Sequence, residues 1–252
     1  MKVITIANQK GGVSKTTTAQ MLGTGLTKKG YKVLLIDADP QRNLTYTLDA
    51  INTPNGLIDI FSGNQPIQEC IYKTKQEVDL IPSSVALIGA DKQFIDTGRE
   101  YILKSELDKI KNDYDFIIID TPPTLGILTI NALTSTDYVI IPMQADIFSI
   151  QGLTQLNKQI QVVKKYTNPN IRIGGVVLTK FSNRTILNRK LINTIKNGVK
   201  EIDTKLYKTT IRESVAIRES QTLKNNIFNT HPKSKVADDY NDFIEEILQD
   251  IK

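Results

Sequence analysis

The run Phe116-Ile117-Ile118-Ile119-Asp120 constrains the fold more than any other feature of the chain. Consecutive large apolar residues with no polar alternation, ending in an acid, describe a strand buried on both faces. Such strands belong to parallel sheets covered by helices on each side. Val3–Ala7, Val33–Asp37, Val78–Ile81, Tyr138–Pro142 and Ile173–Leu178 have nearly the same character. Between these runs lie stretches of helical length, at Lys15–Lys29, Glu100–Asn112, Leu125–Ser135 and Ile147–Tyr166. Beyond Leu178 come a helical segment at Arg184–Asn197, a short strand near Leu206–Thr209 and a final helix over Val236–Ile251. This alternation predicts an α/β fold, a doubly wound and mostly parallel sheet with helices on both faces and right-handed crossovers. No Pro/Gly/Ser-rich linker and no internal repeat divides the 252 residues, so a single domain over residues 1–252 is expected. The longest apolar runs are far too short to cross a bilayer.

The first strand leads straight into Asn8-Gln9-Lys10-Gly11-Gly12-Val13-Ser14-Lys15-Thr16-Thr17-Thr18. No N-terminal helix-turn-helix domain is therefore expected ahead of it. A strand, a glycine pair and a Lys-Thr opening a helix form a cradle for nucleotide phosphates. Glycines let backbone N–H groups converge, and the helix N-terminus adds partial positive charge. Lys15 is placed to reach the β- and γ-phosphates, and the Thr16 hydroxyl to complete a Mg²⁺ shell. The usual spacing of two outer glycines is not met, because Gln9 and Ser14 stand where they belong. Acids close the next two buried strands, in Leu35-Ile36-Asp37-Ala38-Asp39 and at Asp120, on the side of the sheet where ligands bind.

With its second lysine, Lys10-Gly11-Gly12-Val13-Ser14-Lys15-Thr16-Thr17 resembles the deviant Walker A box, KGGxGK[ST], of the ParA/MinD ATPase superfamily. Leu34-Leu35-Ile36-Asp37-Ala38-Asp39-Pro40-Gln41 is similar to that superfamily's LLIDxDPQGN box, with Arg42 in place of the glycine. Phe116–Asp120 followed by Thr121-Pro122-Pro123 looks like its Walker B strand and switch. Val177-Leu178-Thr179 through Arg184-Thr185 resembles LLTxxxxRT, and Thr209-Thr210-Ile211-Arg212-Glu213-Ser214-Val215 stands in the place of TxIPRxV. The resemblance covers essentially the whole chain and implies a P-loop NTPase fold of the deviant Walker A type, with ATP and Mg²⁺ as cofactors. It implies a catalytic set of Lys10, Lys15 and Asp39. Lys10 acts in trans on a partner's phosphates in a homodimer, and Asp39 orients the attacking water. Gly11, Gly12, Val13, Ser14, Lys15, Thr16 and Thr17 hold the phosphates, while Thr179, Ile211 and Arg212 flank the nucleobase. Thr16, Asp37 and Asp120 serve the Mg²⁺. At Ser14 the superfamily's glycine is absent; if that position needs φ > 0, serine costs about 1 kcal/mol there.

Charge then separates the branches. Residues 1–179 carry 18 Lys+Arg against 17 Asp+Glu, residues 180–235 carry 13 against 4, and residues 236–252 carry 1 against 6. The excess positive charge is local, as a polyanion-binding surface requires. Arg184, Arg189, Lys190, Lys196, Lys200 and Arg218 are the candidate DNA-binding residues, with few aromatics among them, so contact is expected with the duplex backbone and weak in sequence preference. The last helix carries an apolar stripe at Val236, Tyr240, Phe243, Ile244, Ile247, Leu248 and Ile251 beside an acidic face. That face is repelled by anionic lipid, so the stripe is expected to pack into the core and no membrane partner is expected. A single cysteine, Cys70, excludes an intramolecular disulfide framework and a cysteine-held iron–sulfur cluster within one chain. The expected partners are a second copy of the chain, nonspecific double-stranded DNA and a ParB-type adaptor, in a cytoplasmic, nucleoid-associated ATPase that segregates a plasmid, mobile element or chromosome origin. The alternative is a MinD-like or cargo-positioning nucleotide switch that docks at a membrane or protein partner instead of DNA.

Overall fold

The computed structural model describes residues 1–182 and 186–251, without the side chains of residues 147–148 and 186–190. Among the described residues eight strands form one sheet in the order β3-β4-β2-β5-β1-β6-β7-β8. They are β1 Lys2–Ile6, β2 Val33–Asp37, β3 Tyr72–Lys73, β4 Asp79–Ile81, β5 Phe116–Asp120, β6 Tyr138–Met143, β7 Arg172–Leu178 and β8 Leu206–Thr210. Every neighbouring pair is parallel except β3–β4. The helices are α1 Lys15–Lys28, α2 Asn43–Thr47, α3 Leu57–Ser62, α4 Ala90–Gln93, α5 Ile102–Leu107, α6 Ile127–Thr134, α7 Ile147–Tyr166, α8 Ile186–Glu201, α9 Val215–Thr222, α10 Ile227–Thr230 and α11 Lys235–Ile251. None of them is long and apolar enough to cross a membrane.

The unbroken apolar runs are buried on both sides by alternation. Phe116 and Ile118 join one core with Val33, Leu35 and residues of α1 and α11, whereas Ile117 and Ile119 join a second core with Leu34, Ile36 and residues of α3, α5 and α6. Val139, Ile141, Val176 and Leu178 build a third against α7 and α8. Residues of period two thus feed different helical layers, which is why no polar position interrupts β5.

The acidic last helix packs as expected. Tyr240, Phe243, Ile244 and Ile247 are fully buried, and Leu248 and Ile251 lie at the edge of the same core. α11 lies so close to α1 that a Cβ on Gly25 would come within 2.2 Å of Ile244 Cδ1. Its polar face also works: Glu246 accepts hydrogen bonds from the backbone N–H groups of Lys208 and Thr209 (2.8 and 3.1 Å), satisfying outward donors of the edge strand β8.

The helix expected over Glu100–Asn112 is instead α5 flanked by 3₁₀ turns at Arg99–Tyr101 and Asp108–Ile110. Asn131 of α6 is the reason at its start: it accepts from Leu103 N (3.0 Å) and donates to Arg99 O (2.9 Å), replacing helical partners with its own side chain. Helices α2, α3, α9 and α10 and strand β3 are too short to produce a readable period and were not expected.

Candidate active site

β1 stops at Ile6 and α1 begins at Lys15, leaving the phosphate signal as the connecting loop at the C-terminal edge of the sheet. Gly12 takes φ +74 and Ser14, the N-cap of α1, takes φ 68 and ψ 29. The position where the superfamily places glycine is therefore left-handed here, occupied by a residue with a side chain. Arg42 repeats the situation at the N-cap of α2, with φ 60 and ψ 28.

The loop is held from outside. Asn8 donates to Pro142 O (2.7 Å) and accepts from Lys10 N (2.9 Å). The Thr179 hydroxyl donates to Val13 O (3.0 Å) and lies fully buried beneath the loop. Thr179 thus braces the phosphate loop from beneath and does not itself line the cleft wall. Ile211 and Arg212 do line that wall, and so do Gly11, Gly12 and Ser14 through Thr17. The cleft measures about 740 Å³. Val13 is fully buried and is not among the residues that line the cleft.

Lys15 is 7% exposed, and burial lowers its pKa against the pull of Asp120 and Asp39. Asp37 and Asp120 are register partners on β2 and β5, both completely buried. Asp37 is saturated: Thr45 N (2.8 Å) and the Thr45 hydroxyl (2.7 Å) donate to one oxygen and Asp39 N (3.1 Å) to the other. Burial still pushes its carboxyl up to about 6, against those hydrogen bonds. Asp37 therefore ties the end of β2 to α2 and offers little to a metal directly. Asp120 differs, since neither carboxylate oxygen has a hydrogen-bond partner among the described residues. Burial first, then the charge of Asp37, raise its pKa well above the ordinary carboxylate value, while Thr16 and Lys15 oppose the rise.

A buried, orphaned carboxylate facing a hydroxyl fits a hard divalent cation, whose charge reverses the cost of burial. Among the described residues no cluster of three or more His, Cys, Asp or Glu side chains forms a metal cage. That suits Mg²⁺, which takes few protein ligands and completes its shell with phosphate and water. Asp120 and the Thr16 hydroxyl would hold it, and when bound it would neutralise charge developing on the transferred phosphoryl group. Asp39, 7% exposed at the cleft wall, accepts from Gln41 N (2.9 Å) through one oxygen and presents a carboxylate beyond the end of β2.

Lys10 behaves unlike Lys15. Its Nζ lies 2.6 Å from Asp146 Oδ2, and both side chains remain about one-third exposed (35% and 30%). Asp146 is the N-cap of α7 and accepts from Ser149 N and the Ser149 hydroxyl (3.0 and 2.9 Å). Burial opposes ionisation of Asp146, but the hydrogen bonds from Lys10 and Ser149 prevail and hold its carboxyl below the usual range. The sequence marks Asp146 as a cap, with an Asp-x-x-Ser before a helix. Its contact with Lys10 joins residues 136 apart and has no local signal.

The Arg212 guanidinium turns to α11 and binds Asp239 with two hydrogen bonds of 2.7 Å, while its backbone N–H donates to the same carboxylate (3.0 Å). The guanidinium is engaged in a fork with Asp239 while the residue lines the cleft. Gln221 of α9 donates to the Thr17 hydroxyl in the first turn of α1 (3.1 Å), and Arg218 from the same helix is exposed in the cleft wall. Lys196 and Lys200 are exposed on α8 behind the buried Ile195 and Val199. Arg184 lies outside the described residues, as do the side chains of Arg189 and Lys190.

The AAA domain family model matches residues 1–173. The sporulation initiation inhibitor protein Soj of Bacillus subtilis (strain 168) is 39% identical over 250 residues, 98% of each chain. The chromosome partitioning protein ParA of Caulobacter vibrioides (strain NA1000 / CB15N) is 38% identical over 229 residues, 88% of this chain and 85% of that protein. The crystal structure of a cobyrinic acid a,c-diamide synthase from Mycobacterium smegmatis with a bound ATP analogue and magnesium superposes with a TM-score of 0.86 and 32% identity, over 99% of this chain and 95% of that one. Paired with a phosphate loop, an orphaned strand-end carboxylate and a cleft of nucleotide size, these likenesses settle the assignment: the chain belongs to the ParA-type partition ATPases of the AAA domain family, with Mg²⁺ and ATP as its cofactors.

Proposed function

We propose that the ATP-bound chain pairs with a second copy, each Lys10 reaching the partner's nucleotide, and that this dimer binds duplex DNA without sequence preference. Hydrolysis is slow in the isolated chain and is stimulated by a ParB-type adaptor, releasing the DNA and so moving a plasmid, mobile element or chromosome origin within the cytoplasm along the nucleoid. The observation that carries the reading is the contrast between the two lysines of one loop. Lys15 is buried toward Asp120, whereas Lys10 is about one-third exposed and held by an acid of its own chain. An ammonium so placed adds nothing to its own phosphates but is available to a neighbour's, which makes hydrolysis depend on pairing. Lys196, Lys200 and Arg218, exposed and in no ion pair among the described residues, support the DNA contact.

The test is a titration of ATP-loaded protein against random duplex DNA at two salt concentrations, beside the same titration without nucleotide. Three phosphate contacts per protomer, doubled in a dimer, give a slope of log K against log salt of about −5. ATP-independent binding, or none, would sink the DNA part of the reading. Lys10→Ala should retain ATP binding yet lose dimerisation-dependent hydrolysis; an unchanged turnover would remove the role in trans.

A further inference from the structure

The Gly12 carbonyl of the phosphate loop accepts two hydrogen bonds from outside the loop, from Lys180 Nζ (2.9 Å) and Gln144 Nε2 (3.2 Å). Two neighbouring carbonyls are held in the same manner, Lys10 O by Lys15 Nζ (3.3 Å) and Val13 O by the Thr179 hydroxyl (3.0 Å). In a planar trans peptide the carbonyl and the following N–H point in opposite directions. Fixing the Gly12 carbonyl toward Lys180 therefore sets the orientation of the whole Gly12–Val13 peptide, which lies between Gly11 and Gly12 on one side and Ser14 through Thr16 on the other, all residues of the cleft wall. Gly12, at φ +74, has no side chain to restrict that peptide, so its orientation rests on the external donors.

We propose that Lys180 is a positioning residue for the phosphates of ATP, acting through the Gly12–Val13 peptide and not by touching the nucleotide's base or sugar. Lys180 lies two residues beyond the end of β7 and takes φ +49, a left-handed conformation costly for a residue with a side chain. It makes no ion pair with an acid among the described residues, so its charge is spent on a carbonyl dipole. A positive charge at the carbonyl end stabilises that orientation of the Gly12–Val13 peptide, and with it the course of the loop through Gly11, Gly12 and Ser14, which line the cleft. Lys180 also borders the cleft wall that carries Arg212. The inference rests on ATP binding alone and is independent of pairing or of DNA.

Binding of Mg·ATP and of AMP, measured by calorimetry in the absence of DNA, tests it with three variants. Lys180→Met, of similar length without charge, should weaken Mg·ATP about tenfold, the range of a hydrogen bond from a charged donor, and AMP less than twofold. Lys180→Arg should recover Mg·ATP affinity to within about threefold of the wild type. Lys180→Gly should raise the urea midpoint by relieving the left-handed backbone while losing Mg·ATP affinity as Lys180→Met does, a divergence that a merely structural lysine does not produce. A Lys180→Met chain that binds Mg·ATP within twofold of the wild type, or that weakens ATP and AMP alike, overturns the proposal.

Discussion

Replacing Ser14 by glycine should make the nucleotide-free chain more stable. Ser14 holds φ 68 and ψ 29 at the N-cap of α1, and its hydroxyl makes no capping hydrogen bond. A left-handed backbone costs a residue with a Cβ about 1–2 kcal/mol. An N-cap serine ordinarily returns about 1 kcal/mol through its side-chain oxygen, and that return is missing here. Glycine removes the steric cost but gives the unfolded chain about 0.5–1 kcal/mol of extra backbone entropy. The difference is a net stabilisation of about 0.5–1 kcal/mol for Ser14→Gly, or roughly 1–4 °C in the thermal midpoint of a chain this size. Urea unfolding reads it as a higher midpoint at unchanged slope. Ser14→Ala is the control, because it keeps the Cβ and removes only a hydroxyl that caps nothing; its midpoint should stay with the wild type. If glycine destabilises the chain, or alanine stabilises it equally, the backbone at Ser14 is not strained and the argument fails. Arg42, at φ 60 and ψ 28, should respond to glycine in the same direction.

Other consequences concern charge. Because Asp120 is buried with both oxygens unpartnered, Mg²⁺ added with ATP should raise the unfolding temperature above that with ATP and a chelator, and Asp120→Asn should abolish the increment; an intact increment would place the cation elsewhere. Asp146→Asn keeps a cap on α7 but drops the charge that holds Lys10, so ATP-dependent pairing, read by light scattering, should occur at lower protein concentration; pairing that becomes harder would show that Asp146 does more than retain the lysine. Burial of Cys70 pushes its thiol from 9.0 up to about 11. At pH 8 its thiolate fraction is then about a hundredfold below that of an exposed cysteine, and labelling by a thiol reagent should be slower at least in that proportion until the chain is unfolded. Because the unfolded thiol ionises first, stability should also decline as pH rises from about 9 toward 11, which a urea midpoint series would detect.

What the sequence disclosed and what it concealed follow from the range of the interactions. Strand β5 is legible because burial on two faces removes alternation within a few residues, and Gly11, Gly12, Lys15 and Thr16 because a phosphate cradle is built from neighbours. The strand-end acids were legible as a pair but not in their division of labour. Asp37 is consumed by Thr45, whose hydroxyl reaches it from α2, a helix of five residues with too few turns to show a period. Thr179 belonged to a motif read as touching the base, yet it closes a contact 166 residues away in sequence, under Val13. Lys10–Asp146, Arg212–Asp239 and Lys180–Gly12 are of the same kind.

The charge distribution shows most clearly why a linear reading falls short. Residues 180–235 and 236–252, of opposite sign, are not two independent surfaces. Lys205 pairs with Asp250 and Arg212 with Asp239, so α11 neutralises part of the basic segment, and Lys224 is taken by Asp49. Glu246 is occupied by the amides of β8. Lys208 on β8, Lys233 just before α11 and Lys235 at its start remain exposed and outside these pairs. What stays exposed and unpaired among the described residues includes Lys196 and Lys200 on α8, and Arg218 on α9 at the nucleotide cleft. The internal pairs therefore remove Lys205, Arg212 and Lys224 from the free positive charge of residues 180–235. Arg218 and Gln221 share one helix, and Gln221 donates to the Thr17 hydroxyl in the first turn of α1, so an exposed cation of the cleft wall and a contact to the helix that follows the phosphate loop are carried by the same eight-residue element. A shift of α9 on ATP binding would move Arg218 and Gln221 together, because one helix carries both.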